Sequence, residues 1–145
     1  MELKPYLRHV NYYETDQMAI VHHSNYIRWM EEARVAFLDE IGYGYARLEA
    51  DGIISPVTSI ECQYKRPVRF GDSVMIRVTI AEYRGVRLVI RYEMTDAADG
   101  SVVLTGSSMH CFTDAGGRPI ILKKHFPAFD GVLRCLAAKD HGEEA

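Results

Sequence analysis

Residues 24–42 read SNYIRWMEEARVAFLDEIG. Tyr26, Trp29, Met30, Ala33, Phe37 and Ile41 fall on one stripe at a 3.6-residue period, and Leu38 joins its edge. Arg28, Glu32, Asp39 and Glu40 occupy the opposite side. Ser24 or Asn25 supplies a cap at the start, and Gly42 supplies a stop. The spacing predicts a helix of about five turns over 24–42. Its two large aromatics, Trp29 and Phe37, require a broad partner surface.

The flanks provide that surface. Tyr6–Tyr13 reads as a first strand, rich in β-branched and aromatic residues, and Glu14–His23 as a connection. Tyr43–Asp51 allows a short helical turn. Strands then dominate. Ile54–Tyr64 extends to Pro67. Asp72–Tyr83 alternates with Val74, Ile76, Val78 and Ile80 on one face, and Arg87–Asp96 alternates with Leu88, Ile90, Tyr92 and Met94 on one face. Ser101–Thr113 is the last strand. The links Phe70-Gly71-Asp72, Arg84-Gly85 and Asp99-Gly100 are short and contain glycine, which predicts hairpins between antiparallel neighbours. Lys124–Ala138 predicts a short C-terminal helix. The fold class is therefore α+β, a five-stranded antiparallel sheet with one face covered by the long helix. It forms a single domain over 1–138, with a polar C-terminal tail over 139–145. Val89, Val102 and Leu104 read as outward and apolar, which predicts self-association to at least a dimer.

Composition narrows the function classes. The chain has 145 residues, of which 48% are apolar and 26% charged, with a formal net charge of -3. These values exclude a disordered chain and argue against nucleic acid or anionic membrane as a partner. No apolar run approaches the ~20 residues of a membrane span. The first residues lack the apolar core of a signal peptide, so a cytoplasmic location is expected. Cys62, Cys111 and Cys135 are odd in number and widely spaced, which reads as two strand residues and one helix residue rather than a disulfide framework.

The dense polar cluster is Tyr13-Glu14-Thr15-Asp16-Gln17 followed by His22-His23-Ser24-Asn25-Tyr26. It leads into the long helix, whose first turn leaves N–H groups unpaired and partially positive. Such a site stabilises an oxygen that is gaining charge, and an upstream carboxylate beside it can act as base or nucleophile. Asp16 is the candidate carboxylate, and the N–H groups near His23 are the candidate oxyanion donors. Other readings of the same residues exist. Asp16 can close an Asx-turn. Ser24, His23 and Asp16 can be drawn as a triad, although no Gly-x-Ser-x-Gly elbow accompanies them. The side chains of the adjacent His22 and His23 are expected to diverge. With no second cluster at ligand spacing, no metal site is expected.

The run Tyr13-Glu14-Thr15-Asp16, Val21-His22-His23-Ser24-Asn25-Tyr26, Trp29-Met30-Glu31 and Ala33-Arg34 resembles the signature of the 4-hydroxybenzoyl-CoA thioesterase family. Within it, the run is most similar to the acyl-CoA thioesterase branch that includes the Tol-Pal-associated enzyme. Tyr64-Lys65-Arg66-Pro67-Val68-Arg69-Phe70-Gly71-Asp72 is similar to that family's Tyr-x-x-Pro-x-x-x-Gly-Asp link. The resemblance spans about residues 6–125. It implies a hot-dog fold, with the antiparallel sheet wrapped around one long central helix. It implies hydrolysis of an acyl-CoA thioester to free acid and CoA, for a short-to-medium or aromatic acyl group. Asp16 then matches the catalytic carboxylate, as nucleophile or general base. His23 matches the helix-opening N–H that polarises the thioester carbonyl, and its side chain matches a histidine that orients acyl group or water. Tyr26 matches the motif's tyrosine on the pocket wall, and Ala19 and Val21 are further candidate substrate-binding residues. The family usually has glycine where this chain has Ala19, whose methyl narrows the acyl pocket or alters the loop. Glu31 and Arg34 match as a structural i, i+3 ion pair.

For the phosphates of CoA the better candidates are Arg84, Arg118 and Lys123, at turns or strand ends, as in the family. No cofactor is expected, since CoA enters as part of the substrate. A homodimer, or a tetramer built from two dimers, is implied, and an acyl carrier protein is a further partner to consider. Two other functions remain: binding of acyl-CoA or acyl carrier without turnover, and a hot-dog hydratase or dehydratase.

Overall fold

The computed structural model describes the backbone of residues 3–144 and the side chains of residues 3–139. In chain order the elements are β1 (Tyr6–His9), α1 (His23–Glu40), α2 (Tyr45–Ala50), β2 (Val57–Tyr64), β3 (Ser73–Tyr83), β4 (Arg87–Asp96), β5 (Val102–Cys111), α3 (Leu122–His125) and α4 (Pro127–Glu144). The five strands form one sheet in the order β1-β3-β4-β5-β2. β1 lies antiparallel to β3, with Tyr6 opposite Ile76 and Arg8 opposite Val74. The α+β class and the antiparallel five-stranded sheet are as the sequence predicts.

The stripe on α1 becomes core: Tyr26, Trp29, Met30, Ala33, Phe37, Leu38 and Ile41 are all buried. Gly42 ends the helix at φ +87°, with its N–H on the Asp39 carbonyl and the Tyr43 N–H on the Leu38 carbonyl. That pair of bonds is a Schellman stop, and it needs a residue free to adopt the left-handed conformation. The alternation in the strands holds too. Leu88, Ile90, Tyr92 and Met94 are buried on β4, as are Val74, Ile76 and Ile80 on β3, while Val78, expected on the same face, is half-buried.

Several boundaries and contacts differ from expectation. The first strand stops at His9, and Tyr12–Glu14 is a turn of 3-10 helix, because the Glu14 N–H bonds back to the Asn11 carbonyl. The Phe70-Gly71-Asp72 link is not a hairpin. β2 and β3 are not neighbours in the sheet, because the chain leaves it at Lys65-Arg66-Pro67 and proline has no N–H to continue a ladder. Leu104 is buried, not outward, next to buried Val103, while Val102 is exposed and Val89 half-buried. Arg34 does not pair with Glu31. It is buried and its guanidinium donates to the Tyr92 hydroxyl at 3.0 Å. The C-terminal helix is longer than expected and continues to Glu144, through most of the stretch expected as a tail; side chains beyond Lys139 lie outside the described residues. The cysteines fall on β2, β5 and α4.

The packing resolves into two compact units. One comprises the segments up to Phe37, Cys62–Val78 and Tyr92–Gly106, and the other comprises Leu38–Glu61, Thr79–Arg91 and the segment from Ser107 onward. The first contains the polar cluster that precedes α1. The second gathers aromatics: Tyr43 stacks on Phe129 with centroids 4.5 Å apart, and Phe112 meets both Phe129 and Tyr83 edge-on. There the Tyr83 hydroxyl donates to buried Asp130 at 2.6 Å, and Arg134 Nε donates to the same carboxylate at 2.9 Å. Burial alone would raise the pKa of Asp130. The bonds from Tyr83 and Arg134 outweigh it and hold the carboxyl below its usual range.

Candidate active site

The residues from Glu14 to His22 form a closed loop. The His22 N–H donates to the Glu14 carbonyl at 2.9 Å, Thr15 bridges Val21, and the Asp16 N–H donates to the Ile20 carbonyl at 2.9 Å. At the tip the Ala19 N–H returns to the Asp16 carbonyl at 2.9 Å. Ala19 sits at φ +62°, the only non-glycine residue at positive φ among those described. The turn needs a left-handed backbone that a Cβ disfavours by about 1 kcal/mol, a cost that the glycine expected from the resemblance would avoid.

Asp16 is half-buried, and its Oδ1 accepts the Met18 N–H at 2.8 Å. This is the Asx-turn anticipated as an alternative role. It also fixes one carboxylate oxygen, and among the described residues Oδ2 has no donor. The turn therefore orients the carboxylate and does not consume it.

The loop delivers the chain to the start of α1, which begins at His23. Its cap is neither Ser24 nor Asn25. The Ser24 N–H donates to His22 Nδ1 at 3.2 Å, and the Ser24 hydroxyl lies 2.8 Å from the same nitrogen. An accepting Nδ1 carries no proton, so the neutral ring holds its proton on Nε2. This cap folds the His22 ring back over the first turn, and the two histidine rings lie 4.2 Å apart at 30° instead of diverging. The Asn25 N–H goes to the His22 carbonyl, and the Asn25 side chain is buried, donating to the Glu14 carbonyl at 2.9 Å. Among the described residues the His23 N–H has no acceptor.

The second motif closes against the first. Val68 is buried, its carbonyl accepts the Val21 N–H at 2.8 Å, and its backbone also bonds the Tyr26 hydroxyl. Tyr26 is buried between Trp29 and Tyr64, with centroids 5.1 and 5.4 Å away. Burial pushes its hydroxyl up to about 12, against the opposing pull of the Val68 bond. The Tyr64 hydroxyl donates to the His23 carbonyl at 3.3 Å, and Arg69 donates to the Ala19 carbonyl at 3.5 Å. Asp16, Ala19, Val21, His23 and Tyr26 therefore belong to one local assembly in the first unit.

Arg84, Arg118 and Lys123 belong to the second unit. Arg84 is exposed and pairs with Glu82. Arg118 is exposed at the Asp114 turn, where its N–H donates to Asp114 Oδ1. Lys123 is exposed on α3 and contributes to the positive field at Asp130.

One group escaped notice in the sequence. Glu14 is buried at 3% exposure and accepts bonds from the Trp29 indole N–H at 2.8 Å, the Asn11 N–H at 2.8 Å and both Arg8 guanidinium nitrogens at 2.8 and 2.9 Å. Arg8 also bonds Glu32, lies over the Trp29 ring at 5.4 Å and is thereby held firmly charged despite burial. Tyr6 donates to the same Glu32 oxygen at 2.9 Å. The available signal was alternation: Tyr6 and Arg8 share one face of β1.

A family model for the thioesterase-like superfamily matches residues 10–136. YneP of Bacillus subtilis strain 168 is 36% identical over 118 residues, covering 81% of this chain and 86% of that protein. The acyl-CoA thioester hydrolase YbgC of Escherichia coli O6:H1 is 28% identical over 88 residues, covering 61% of this chain and 66% of its own. The crystal structure of the DHNA-CoA thioesterase of Staphylococcus aureus superimposes at a TM-score of 0.90 with 29% identity, covering 97% of this chain and 94% of that one. The chain belongs to the thioesterase-like superfamily and has its hot-dog fold. This is the family that the two motifs resemble, and it makes the protein an enzyme of the thioester hydrolase class.

Proposed function

We propose that this chain hydrolyses acyl-CoA thioesters, with Asp16 as the catalytic carboxylate and the His23 N–H as an oxyanion donor. The observation that carries this reading is the closed loop. It holds Asp16 by one carboxylate oxygen and ends at a helix N-terminus; among the described residues the other oxygen has no donor and the His23 N–H has no acceptor. As nucleophile, Asp16 attacks the thioester carbon, and water then cleaves the anhydride. As general base, it takes a proton from the water that attacks directly. In both routes the carbon–sulfur bond breaks, and the thiolate leaves and takes up a proton as CoA. Negative charge builds on the carbonyl oxygen in the transition state, where loss of one fixed donor costs about 3 kcal/mol.

Tyr26, Ala19 and Val21 wall the acyl group, and the His23 ring orients it or the water. Arg84, Arg118 and Lys123 meet the CoA phosphates. The acyl group is short-to-medium or aromatic; the apolar loop residues Met18 and Ile20 and the aromatic substrate named for the Staphylococcus aureus relative support this. A homodimer, alone or paired into a tetramer, is part of the reading. Its support is the exposure of Tyr12, Tyr13, Met18 and Phe70 in the first unit, apolar area that a second copy would cover. No helix among the described residues is long and apolar enough to cross a membrane. A cytoplasmic site of action and an acyl-carrier thioester as a second substrate belong to the same proposal.

The test is thiol release from acyl-CoAs running from acetyl to palmitoyl, with benzoyl and 4-hydroxybenzoyl, by wild type and Asp16→Asn. The expected result is turnover that falls about 100-fold or more in the amide. Undiminished activity of Asp16→Asn overturns the assignment. Saturable binding without thiol release indicates a binder, and loss of an enoyl-CoA without free CoA indicates a hydratase.

A further inference from the structure

We infer that Glu14 is a positioning residue of the reaction, acting through Asp16 and the α1 N-terminus. The inference rests on the function proposed above. Glu14 grips the loop in two ways at once. Its carboxylate accepts from Trp29 in α1, from the Asn11 N–H ahead of the loop and from Arg8 on β1. Its carbonyl accepts from His22 and Asn25, the residues on either side of His23 and Ser24. One residue thus sets the start of the Asp16 loop, its end and the first turn of α1.

The chemistry suits a clamp. A buried carboxylate left without donors is strongly unfavourable, so every bond in this set is kept together. Arg8 does not depend on Glu14 alone, since Glu32 holds its other side. Glu14 is two residues from Asp16, on the same short segment, so a shift of one moves the other. Displacements near 1 Å at a reacting group are enough to lower a rate about 100-fold. Glu14 touches no reacting atom in this reading, because its carboxylate is already filled by four N–H donors.

The experiment uses Glu14→Gln and, from the other side of the bond, Trp29→Phe, with Glu32→Gln as the control for the ion network. Two readouts are taken on the full chain. The first is kcat and KM on the best acyl-CoA of the panel. The second is amide hydrogen exchange at Asp16, Val21 and His22, whose N–H groups close the loop, with β5 amides as reference. The expected result is a fall in kcat of about 10-fold or more at nearly constant KM in Glu14→Gln and Trp29→Phe, with exchange about tenfold faster in the loop alone. Glu32→Gln should leave both unchanged. Loop exchange equal to wild type in both variants overturns the inference. So does faster loop exchange with full kcat, or an equal loss of kcat in Glu32→Gln. If the wild type releases no thiol from any acyl-CoA, the function reading has failed, and a loop exchange rate unchanged by the substitutions independently rejects the clamp.

Discussion

Glu14 in the first unit and Asp130 in the second are both buried carboxylates, and the two are used differently. Glu14, in the first unit, is met by four N–H donors from a strand, a turn and a helix, and its own carbonyl takes two more. Asp130, in the second, is met by a tyrosine hydroxyl and one arginine at the edge of an aromatic cluster. Around Asp130 the polar bonds complete a core. Around Glu14 they hold a loop whose next acid, Asp16, keeps one oxygen unpaired among the described residues. A buried acid placed within a core stabilises that core. A buried acid placed two residues before an available one holds a site in shape.

That contrast can be broken or sharpened by substitution. Glu14→Ala should have the largest effect, a loss of about 3 kcal/mol, because it strands the Trp29 N–H and removes a partner of half-buried Arg8. Urea unfolding checks it, and a loss below that for Asp130 would reverse the ranking. Asp130→Ala should cost about 2 kcal/mol, since it leaves the Tyr83 hydroxyl without its acceptor, while thiol release per folded molecule stays within about twofold. A large fall in turnover there would mean the second carboxylate also serves the site.

Tyr83→Phe should cost about 1 kcal/mol near neutrality. Burial first, and then the bond to Asp130, raise the Tyr83 hydroxyl above its ordinary value. A group raised on folding stabilises fully below its unfolded value and loses that contribution as pH climbs towards the folded one. The gap between wild type and Tyr83→Phe should therefore narrow above about pH 10, as followed by unfolding midpoints. A gap that widens with pH would show that the tyrosine is not held neutral by its surroundings. The smallest effect is expected at the loop tip. Ala19→Gly relieves the left-handed strain but gains freedom in the unfolded chain, for a net stabilisation of about 0.5 kcal/mol. A lower unfolding midpoint would indicate that the methyl makes contacts worth more than the strain.

Much of the molecule could be read in one dimension. The α1 stripe and the alternation of β3 and β4 are local periodicities, and these three elements formed where their patterns predicted. Motif spacing also singled out Asp16 and His23. The misreadings share a cause. Leu104 is apolar and buried where alternation placed it outward, because Val103 and Leu104 are buried in succession. The helix cap passed to His22 because the loop, not the helix sequence, sets the direction of entry. Glu31 and Arg34 are at ion-pair spacing, yet Tyr92, distant in sequence, takes the guanidinium.

The sequence by itself determined the long helix, the strand periods and the loop that carries Asp16, because hydrophobic period, glycine stops and turn chemistry act between near neighbours. Tertiary structure alone decided that β2 pairs with β5 instead of β3, that the 64–72 motif closes on the 13–26 motif through Val68 and Tyr64, and that Glu14 is the buried clamp. Those outcomes depend on which groups meet after the chain has folded. A buried carboxylate looks the same in sequence as a solvated one, and only its donors tell them apart.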